Sequence, residues 1–184
     1  MNIANKLTIL RIVLIPFFIF CFYIEVLSGT FTLFGFTITY ANALALFFFS
    51  IAAITDWLDG YLARKLGLIS DFGKFMDPLA DKMLTTAAFL IFINQGILAS
   101  WVVFIILTRE FIVSGLRMTA AAKGVVIAAA WSGKIKTILQ FVLVIILLLN
   151  PVLTTFNIIL ITIMTIATVV SGTEYVIKNL AVLK

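Results

Sequence analysis

Long apolar runs separated by short polar links make up most of this chain. Six of the runs approach or exceed the roughly 20 residues that a helix needs to cross the hydrocarbon core of a bilayer. They lie at about 8–27, 38–66, 77–94, 98–122, 131–149 and 152–178. The second run is longer than one crossing, so we expect its charged end to project beyond the membrane. The pattern predicts an all-α integral membrane protein with six transmembrane helices, in one domain over residues 1–184.

Two of the links affect how the runs are arranged. The sequence SGTFTLFGF, residues 28–36, is interpreted as a turn-rich polar and aromatic link after the first run. The sequence KLGLISDFG, residues 65–73, is interpreted as a short loop that brings the second and third runs side by side. Pro16 falls inside the first run, where a proline can kink a helix.

The basic residues are distributed unevenly between the links. The links 28–37, 95–100 and 150–157 contain no Lys or Arg, and all 13 basic residues of the chain can lie on the opposite side. Because basic loops face the cytoplasm, both termini are predicted to be cytoplasmic. The net charge of +5 is therefore interpreted as a topology signal and as phosphate-binding charge, and no nucleic-acid partner is predicted.

The overall composition supports the same class of protein. Hydrophobic residues make up 64% of the chain and charged residues 11%, whereas soluble domains have about 25% charged residues. The chain contains no histidine, so acid–base chemistry and metal binding must depend on carboxylates. The setting that we expect is a bacterial cytoplasmic (inner) membrane, with the chain crossing it several times.

Acidic residues concentrate in one stretch, where five of the chain's eight fall between positions 56 and 81. Asp56 and Asp59 share one helix face through i, i+3 spacing, and Asp77 and Asp81 share another through i, i+4 spacing. Four carboxylates near the cytoplasmic membrane surface would repel one another, and divalent cations resolve that conflict. All-oxygen ligands suit Mg²⁺, Mn²⁺ or Ca²⁺. Asp71 lies in the predicted loop and has no assigned role.

The residues after Asp59 favour a phosphate ligand beside these carboxylates. Gly60 and Ala63 keep the helix face shallow, and Arg64 adds a forked cation one turn beyond Gly60. Together these features predict a site for a metal-bound pyrophosphate. The alternative is that the acids form interfacial salt bridges with nearby cations, namely Arg64, Lys65, Lys74 and Lys82.

A second set of charges lies in the fourth and fifth runs. Cations on the cytoplasmic halves of neighbouring helices form a pocket for an anionic headgroup, most simply a phosphate. The candidates are Arg109, Arg117, Lys134 and Lys136, with Glu110 as a possible orienting partner of Arg109. The alternative for such cations is snorkelling to the lipid surface, and we favour it for Lys123, Lys178 and Lys184.

The acidic motif resembles the signature of the CDP-alcohol phosphotransferase family. It reads Asp56-x2-Asp59-Gly60-x2-Ala63-Arg64-x8-Gly73-x3-Asp77-x3-Asp81, and each of the signature's eight positions is filled. The resemblance implies that an alcohol displaces CMP from a CDP-linked lipid at the cytoplasmic side of the helix bundle. It also implies two divalent cations, Mg²⁺ or Mn²⁺, and a homodimer.

The resemblance further implies roles for individual residues. The metal ligands would be Asp56, Asp59, Asp77 and Asp81, and Asp81 would also be the general base that deprotonates the attacking hydroxyl. The CDP-lipid would contact Gly60, Ala63 and Arg64, and Gly73 would let the chain pass close to the nucleotide.

Three shorter segments resemble the phosphatidylglycerophosphate synthases within this family. They are the opening NIANKLTILR, the segment TREF and the segment GKIKT. In the opening, Ala4 replaces the proline that is usual at that position. The resemblance implies that CDP-diacylglycerol is the donor and glycerol 3-phosphate the acceptor. It also places Asn5, Thr8 and Arg11 near the nucleotide and the pyrophosphate.

Two other functions stay open from the residues. A sister enzyme could use another acceptor, such as phosphatidylglycerol (a cardiolipin synthase), inositol phosphate or serine. A divalent-cation transporter could use the aspartates as its permeation site, although it would not need the Gly60, Ala63 and Arg64 face.

Overall fold

The computed structural model describes residues 3–33, 35–66, 71–125, 127 and 130–180, and this part of the chain is mostly helical. The long helices within it are α1 (Ile3–Phe20), α2 (Tyr40–Leu66), α3 (Asp71–Asn94), α4 (Ser100–Ala122), α5 (Trp131–Leu149) and α6 (Thr155–Asn179). A short 3-10 helix (Glu25–Ser28) and two strands, β1 (Thr30–Leu33) and β2 (Phe36–Thr39), lie between α1 and α2. The prediction of a helical protein is confirmed.

Three stretches of the described helices are long and apolar enough to cross a membrane. They are Tyr40–Gly60 within α2, the whole of α5 and the whole of α6. These helices are typical of a membrane protein. Since α2 has 27 residues and its apolar stretch has 21, the helix continues past one crossing, as its sequence predicts. The six-span arrangement and the cytoplasmic location of the termini stay predictions.

The first predicted span, 8–27, extends past the end of its helix, because α1 runs from Ile3 to Phe20. Its end is marked by short-range hydrogen bonds: the Phe22 N–H donates to the Ile19 carbonyl over 3.1 Å, and the Tyr23 N–H donates to the Phe20 carbonyl over 3.0 Å. Such i→i+3 bonds tighten and close the last turn of a helix. The apolar run continues after Phe20, but the helix does not.

The link after α1 forms a β-hairpin rather than the irregular link that we expected. Strands β1 and β2 are antiparallel, with Thr30 opposite Thr39 and Leu33 opposite Phe36. Gly35 lies in the connection with φ 83°, a backbone conformation that favours glycine. Alternating threonine and aromatic residues on both sides of a glycine carry this signal in the sequence.

The helix that contains the third predicted span, 77–94, begins before that span, because α3 runs from Asp71 to Asn94. Asp71 and Gly73 therefore lie in the first turn of a helix. The prediction that they lie in a loop is wrong. The reason is that an apolar run marks only the part of a helix that suits lipid, whereas the polar segment before it continues the same helix.

The sixth predicted span, 152–178, starts three residues before its helix, because α6 begins at Thr155. Thr154 caps this helix, since its hydroxyl accepts a hydrogen bond from the Asn157 N–H over 3.2 Å. The Asn157 side chain is buried and donates to the Val152 carbonyl over 2.6 Å. These bonds hold residues 152–154 outside the helix. The fifth predicted span coincides with α5.

The chain forms two compact units, Met1–Phe92 with Ile145–Pro151 and Ile93–Val144 with Val152–Lys184. In the first unit, α1 packs along α2. Phe18 and Phe49 are fully buried, with ring centroids 6.2 Å apart. Ala45 and Ala52 of α2 are also fully buried. This packing fixes the polar residues of α1 relative to the aspartates of α2.

In the second unit, α4 packs against α6. Val113 and Leu116 of α4 and Tyr175 of α6 are buried together, with Val176 and Ile127 packed against them. The contact holds the charged middle of α4 beside the small residue Gly172 of α6. The prediction of a single domain over the whole chain stays a prediction.

Candidate active site

The aspartates of the first unit lie on two helices, Asp56 and Asp59 on α2 and Asp77 and Asp81 on α3. We call these four aspartates, together with Thr8 and Arg11 of α1 that contact them, the acidic cluster. Asp59 is buried, whereas the side chain of Asp56 is 43% exposed. Asp77 and Asp81 are partly exposed and one helical turn apart. One carboxylate of the cluster is therefore buried and the other three are accessible.

Arg11 on α1 joins the two aspartates of α2. Its Nη2 donates a hydrogen bond to Asp59 Oδ2 over 2.5 Å, and its Nη1 lies 2.8 Å from Asp56 Oδ1. The Arg11 side chain is 0% exposed. Because a buried charge is costly unless it is paired, these two carboxylates account for the presence of an arginine inside the unit.

Thr8 brings a carboxylate of α3 to the same helix. Its hydroxyl donates to Asp77 Oδ1 over 2.6 Å, and Thr8 lies one turn before Arg11 on α1. Asn5, one turn earlier again, is also buried. One polar face of α1 thus collects Asp56, Asp59 and Asp77 from two helices.

The chemistry of this donor set suits a hard divalent cation. The cluster offers carboxylate and hydroxyl oxygens, which Mg²⁺ and Mn²⁺ prefer, and contains neither sulfur nor imidazole ligands. Within the described residues, no three acidic or cysteine side chains are close enough together to form a ready-made metal centre. In the structure, the charge opposite Asp56 and Asp59 is the Arg11 guanidinium.

The other residues that we expected at the CDP-lipid are only partly described. Gly60 is half-buried directly after Asp59, and Gly73 is buried in the first turn of α3. The side chains of Ala63, Arg64 and Asp71 lie outside the described residues, and so do the contacts predicted for them.

The second unit contains a compact group that we call the basic cluster: Arg109 and Glu110 of α4 and Lys136 of α5. Arg109 Nη1 lies 3.0 Å from Glu110 Oε1, and the Lys136 ammonium contacts the same oxygen. The side chains of Lys136 and Arg109 are 2% and 11% exposed. Two cations therefore share one carboxylate in a largely buried position, which leaves one excess positive charge.

Two glycines make room for Arg109. A Cβ on Gly172 of α6 would lie 2.8 Å from Arg109 Cγ, closer than carbon atoms can pack. A Cβ on Gly133 of α5 would lie 3.3 Å from Arg109 Nη2. The Nε of Arg109 is buried and has no hydrogen-bond partner among the described residues. The arginine is thus enclosed by three helices and retains an unused donor.

The other two predicted acceptor cations do not join this cluster. Arg117 is exposed, and its Nε donates to the Tyr175 hydroxyl over 3.1 Å. Lys134 is also exposed, and its ammonium lies 5.1 Å from the centroid of the Trp131 ring. Each of the two packs against an aromatic side chain. The structure therefore brings together two of the four cations.

A cavity of about 370 Å³ lies between α4 and α6 and is lined in part by Arg109. Its other walls are mainly aliphatic and aromatic, with the hydroxyls of Thr108, Thr168 and Thr173 as further polar groups. Such walls suit an apolar chain better than a small water-soluble acceptor, so we do not place the acceptor inside this cavity.

Sequence reasoning missed two central contacts. It did not pair Arg11 with Asp56 and Asp59, although polar residues at positions 5, 8 and 11 of an apolar helix mark one buried face. It named Glu110 as a partner of Arg109 but not of Lys136. The signal was present there too, because a lone carboxylate in an apolar run needs cations around it.

Comparison with known proteins gives consistent matches. Residues 1–176 match the CDP-alcohol phosphatidyltransferase family. A Bacillus subtilis (strain 168) protein named CDP-diacylglycerol–glycerol-3-phosphate 3-phosphatidyltransferase is 42% identical, with 100% of this chain and 97% of the relative covered. An Escherichia coli (strain K12) protein of the same name is 37% identical, with 82% and 78% covered.

A third relative agrees with these two. A Mycobacterium tuberculosis (strain H37Rv) protein, named as a probable phosphatidylglycerophosphate synthase, is 37% identical over 97% of this chain and 82% of its own length. The family match spans both the acidic and the basic cluster. The chain belongs to the CDP-alcohol phosphatidyltransferase family.

Proposed function

We propose that the chain transfers the phosphatidyl group of CDP-diacylglycerol to glycerol 3-phosphate, giving phosphatidylglycerol phosphate and CMP. The structural observation that carries the proposal is the collection of three aspartates on one face of α1 through Thr8 and Arg11. The names of the relatives from B. subtilis and E. coli specify the same donor and acceptor.

The acidic cluster is the proposed metal and pyrophosphate site. Members of this family generally depend on divalent metals. Asp56, Asp59, Asp77 and Asp81 would hold two ions, Mg²⁺ or Mn²⁺, which neutralise the pyrophosphate and stabilise the departing CMP when bound. The CDP-lipid would be bordered by Asn5, Thr8, Arg11, Gly60, Ala63, Arg64 and Gly73.

Asp81 is the proposed general base. It would accept the proton of the primary hydroxyl of glycerol 3-phosphate, and the hydroxyl oxygen would form a bond to the lipid-side phosphorus. The bond between that phosphorus and the bridging oxygen breaks, and CMP leaves with this oxygen. The partial exposure of Asp81 supports the role, because a base must reach its substrate.

The basic cluster is the proposed site for the phosphate of the acceptor. Lys136 is nearly buried against Glu110, whereas the side chain of Arg109 is 11% exposed, so Arg109 is the cation that the acceptor phosphate would reach. Glu110 would hold both cations in place, and the excess positive charge would favour a phosphate. Arg117 and Lys134 belong to the predicted pocket, but their described contacts are aromatic, so we expect a smaller contribution from them.

We propose that the enzyme crosses a bacterial cytoplasmic membrane six times, with its termini and its active site on the cytoplasmic side. Support comes from the three described apolar helices and from the absence of Lys and Arg in alternate links of the sequence. We also propose that it forms a homodimer. With Cys21 replaced, labelling of single cysteines at the exposed positions Ser28 and Gln95 from the periplasmic side, but not at the exposed Lys123, would support the topology.

Release of CMP from CDP-diacylglycerol in detergent micelles tests the function directly. With Mg²⁺ or Mn²⁺ present, we expect CMP to appear when glycerol 3-phosphate is added, and much less with phosphatidylglycerol, inositol phosphate or serine. Faster CMP release with another acceptor would assign the chain to a sister activity. Cation flux into vesicles without CMP release under any acceptor would instead indicate a transporter.

A further inference from the structure

Arg11 is the most deeply buried charge of the acidic cluster, yet its hydrogen bonding is incomplete. The side chain is 0% exposed, and its Nη2 donates to Asp59. Its Nη1 lies 2.8 Å from Asp56 Oδ1 without the alignment of a hydrogen bond, and its Nε has no partner among the described residues. Arginine–carboxylate pairs frequently use the planar fork for two parallel hydrogen bonds, whereas Arg11 makes one hydrogen bond among the described residues.

The contacts of Arg11 are the same carboxylates that would hold a divalent cation. Asp56 and Asp59 would carry two negative charges in a largely apolar unit, and in the structure the guanidinium supplies the opposing charge. A cation and a guanidinium cannot both neutralise these carboxylates fully. The geometry therefore relates Arg11 to metal binding rather than to the lipid substrate alone.

We propose that Arg11 is the resident counter-ion of Asp56 and Asp59 and yields these carboxylates to a divalent cation when the metal binds. The inference rests on the metal site of the proposed function. Without metal, Arg11 prevents repulsion between the two carboxylates and stabilises the packing of α1 on α2. With metal, the same arginine competes for the ligands and lowers the affinity for the cation.

Thermal unfolding of the full chain in detergent tests this exchange, with EDTA or with saturating MnCl₂. In EDTA, we expect Arg11→Gln to unfold about 10 °C below the wild type, because it leaves two carboxylates without their counter-ion. In MnCl₂, at least half of that difference should disappear, since Mn²⁺ replaces the missing charge. Lys178→Gln removes an exposed cation that contacts Glu174, and it should leave the unfolding temperature unchanged in both EDTA and MnCl₂.

Binding of Mn²⁺, followed by the electron paramagnetic resonance signal of the free ion, gives a second readout. Because Arg11→Gln removes a competing positive charge, its Kd for Mn²⁺ should be lower than that of the wild type, on the order of tenfold. An unchanged stability gap in MnCl₂, or weaker Mn²⁺ binding by Arg11→Gln, would show that Arg11 is only a brace and would overturn the proposal.

Arg11→Lys keeps the experiment decisive if Arg11→Gln does not fold. Lysine preserves the charge but not the fork, so the Mn²⁺ affinity of Arg11→Lys should stay near that of the wild type, and a loss of binding would contradict the counter-ion role.

Failure of the proposed function can be recognised separately. Absence of CMP release with every acceptor would refute the transferase activity but leave the Mn²⁺ results unaffected. Unchanged Mn²⁺ binding by Asp56→Asn would refute the metal site itself.

Discussion

The acidic and basic clusters have the same design with the charges reversed. In the first, one guanidinium, that of Arg11, faces the carboxylates of Asp56 and Asp59. In the second, one carboxylate, that of Glu110, faces the cations of Arg109 and Lys136. Each central ion faces more charges than it can compensate: Arg11 offsets one of the four negative charges of the acidic cluster, and Glu110 offsets one of the two positive charges of the basic cluster. The excess is negative in the acidic cluster and positive in the basic cluster, which suits a metal ion and a phosphate respectively.

The two clusters differ in which member is accessible. In the acidic cluster the central Arg11 is fully buried, whereas an outer residue, Asp56, is 43% exposed. In the basic cluster the outer residue Lys136 is nearly buried and Arg109 is 11% exposed. An ion from solution can therefore reach the acidic cluster through carboxylates. The basic cluster is less accessible, and Arg109 is the more exposed of its two cations.

The largest expected effect tests whether the acidic cluster does chemistry as well as binding. Asp81→Asn should lower kcat for CMP formation by about 1,000-fold or more, because the amide cannot accept the proton of the acceptor hydroxyl. Binding of Mn²⁺ should be partly retained, since Asp56, Asp59 and Asp77 remain. Glu25→Gln, which changes an exposed acid outside both clusters, is the matched control. Near-normal turnover of Asp81→Asn would show that Asp81 is not the general base and that the acidic cluster only binds cations.

The second prediction removes the central ion of the basic cluster. Glu110→Leu leaves the nearly buried Lys136 without its counter-ion and should lower the free energy of unfolding by about 3 kcal/mol. The measurement is thermal or denaturant unfolding in detergent. Glu174→Leu removes an acid from a more exposed ion pair with Lys178 and should change the unfolding temperature little. If Glu110→Leu lowered the unfolding temperature as little as Glu174→Leu, the Glu110 contacts would not stabilise the fold.

The sequence predicted the acidic cluster better than the helices that hold it. Spacings of three and four residues determine that Asp56 and Asp59, or Asp77 and Asp81, share a helix face, so their grouping followed from local geometry. The ends of α1 and α3 did not follow from hydrophobicity, because a backbone can stay helical in polar segments and can stop within an apolar one. The hairpin of β1 and β2 was missed for a related reason, since its strands are only four residues each.

The partners of Arg11 and Lys136 could not be read from spacing. Periodicity shows which residues of a helix share a face, but it does not show which other helix that face meets. Arg11 lies 45 and 48 positions from its two carboxylates, and Lys136 lies 26 positions from Glu110. A simple rule would have helped, namely that each buried charge in an apolar chain needs an opposite charge nearby.

The third prediction concerns the accessible member of the basic cluster. Arg109→Ala should raise the KM for glycerol 3-phosphate by about 30-fold, the loss expected for a hydrogen bond between charged groups, and leave the KM for CDP-diacylglycerol nearly unchanged. Arg117→Ala is the comparison, because Arg117 is exposed against Tyr175 and should have a smaller effect. If Arg109→Ala altered only the KM for CDP-diacylglycerol, the basic cluster would belong to the donor rather than to the acceptor.

The smallest expected effect comes from a single methyl group beside the same arginine. In Gly172→Ala the new Cβ would lie 2.8 Å from Arg109 Cγ, so the side chain must shift within its enclosure. We expect a rise of about fivefold in the KM for glycerol 3-phosphate, with little change in kcat. Gly115→Ala is a matched control on α4, because a Cβ there meets no atom within 4 Å.

The control separates a local effect from a general one. Both substitutions favour the helix through the propensity of alanine, so a general effect of rigidity would appear in both variants. A KM change confined to Gly172→Ala would therefore come from the displaced guanidinium, and equal KM values in the two variants would show that the position of Arg109 does not determine acceptor binding.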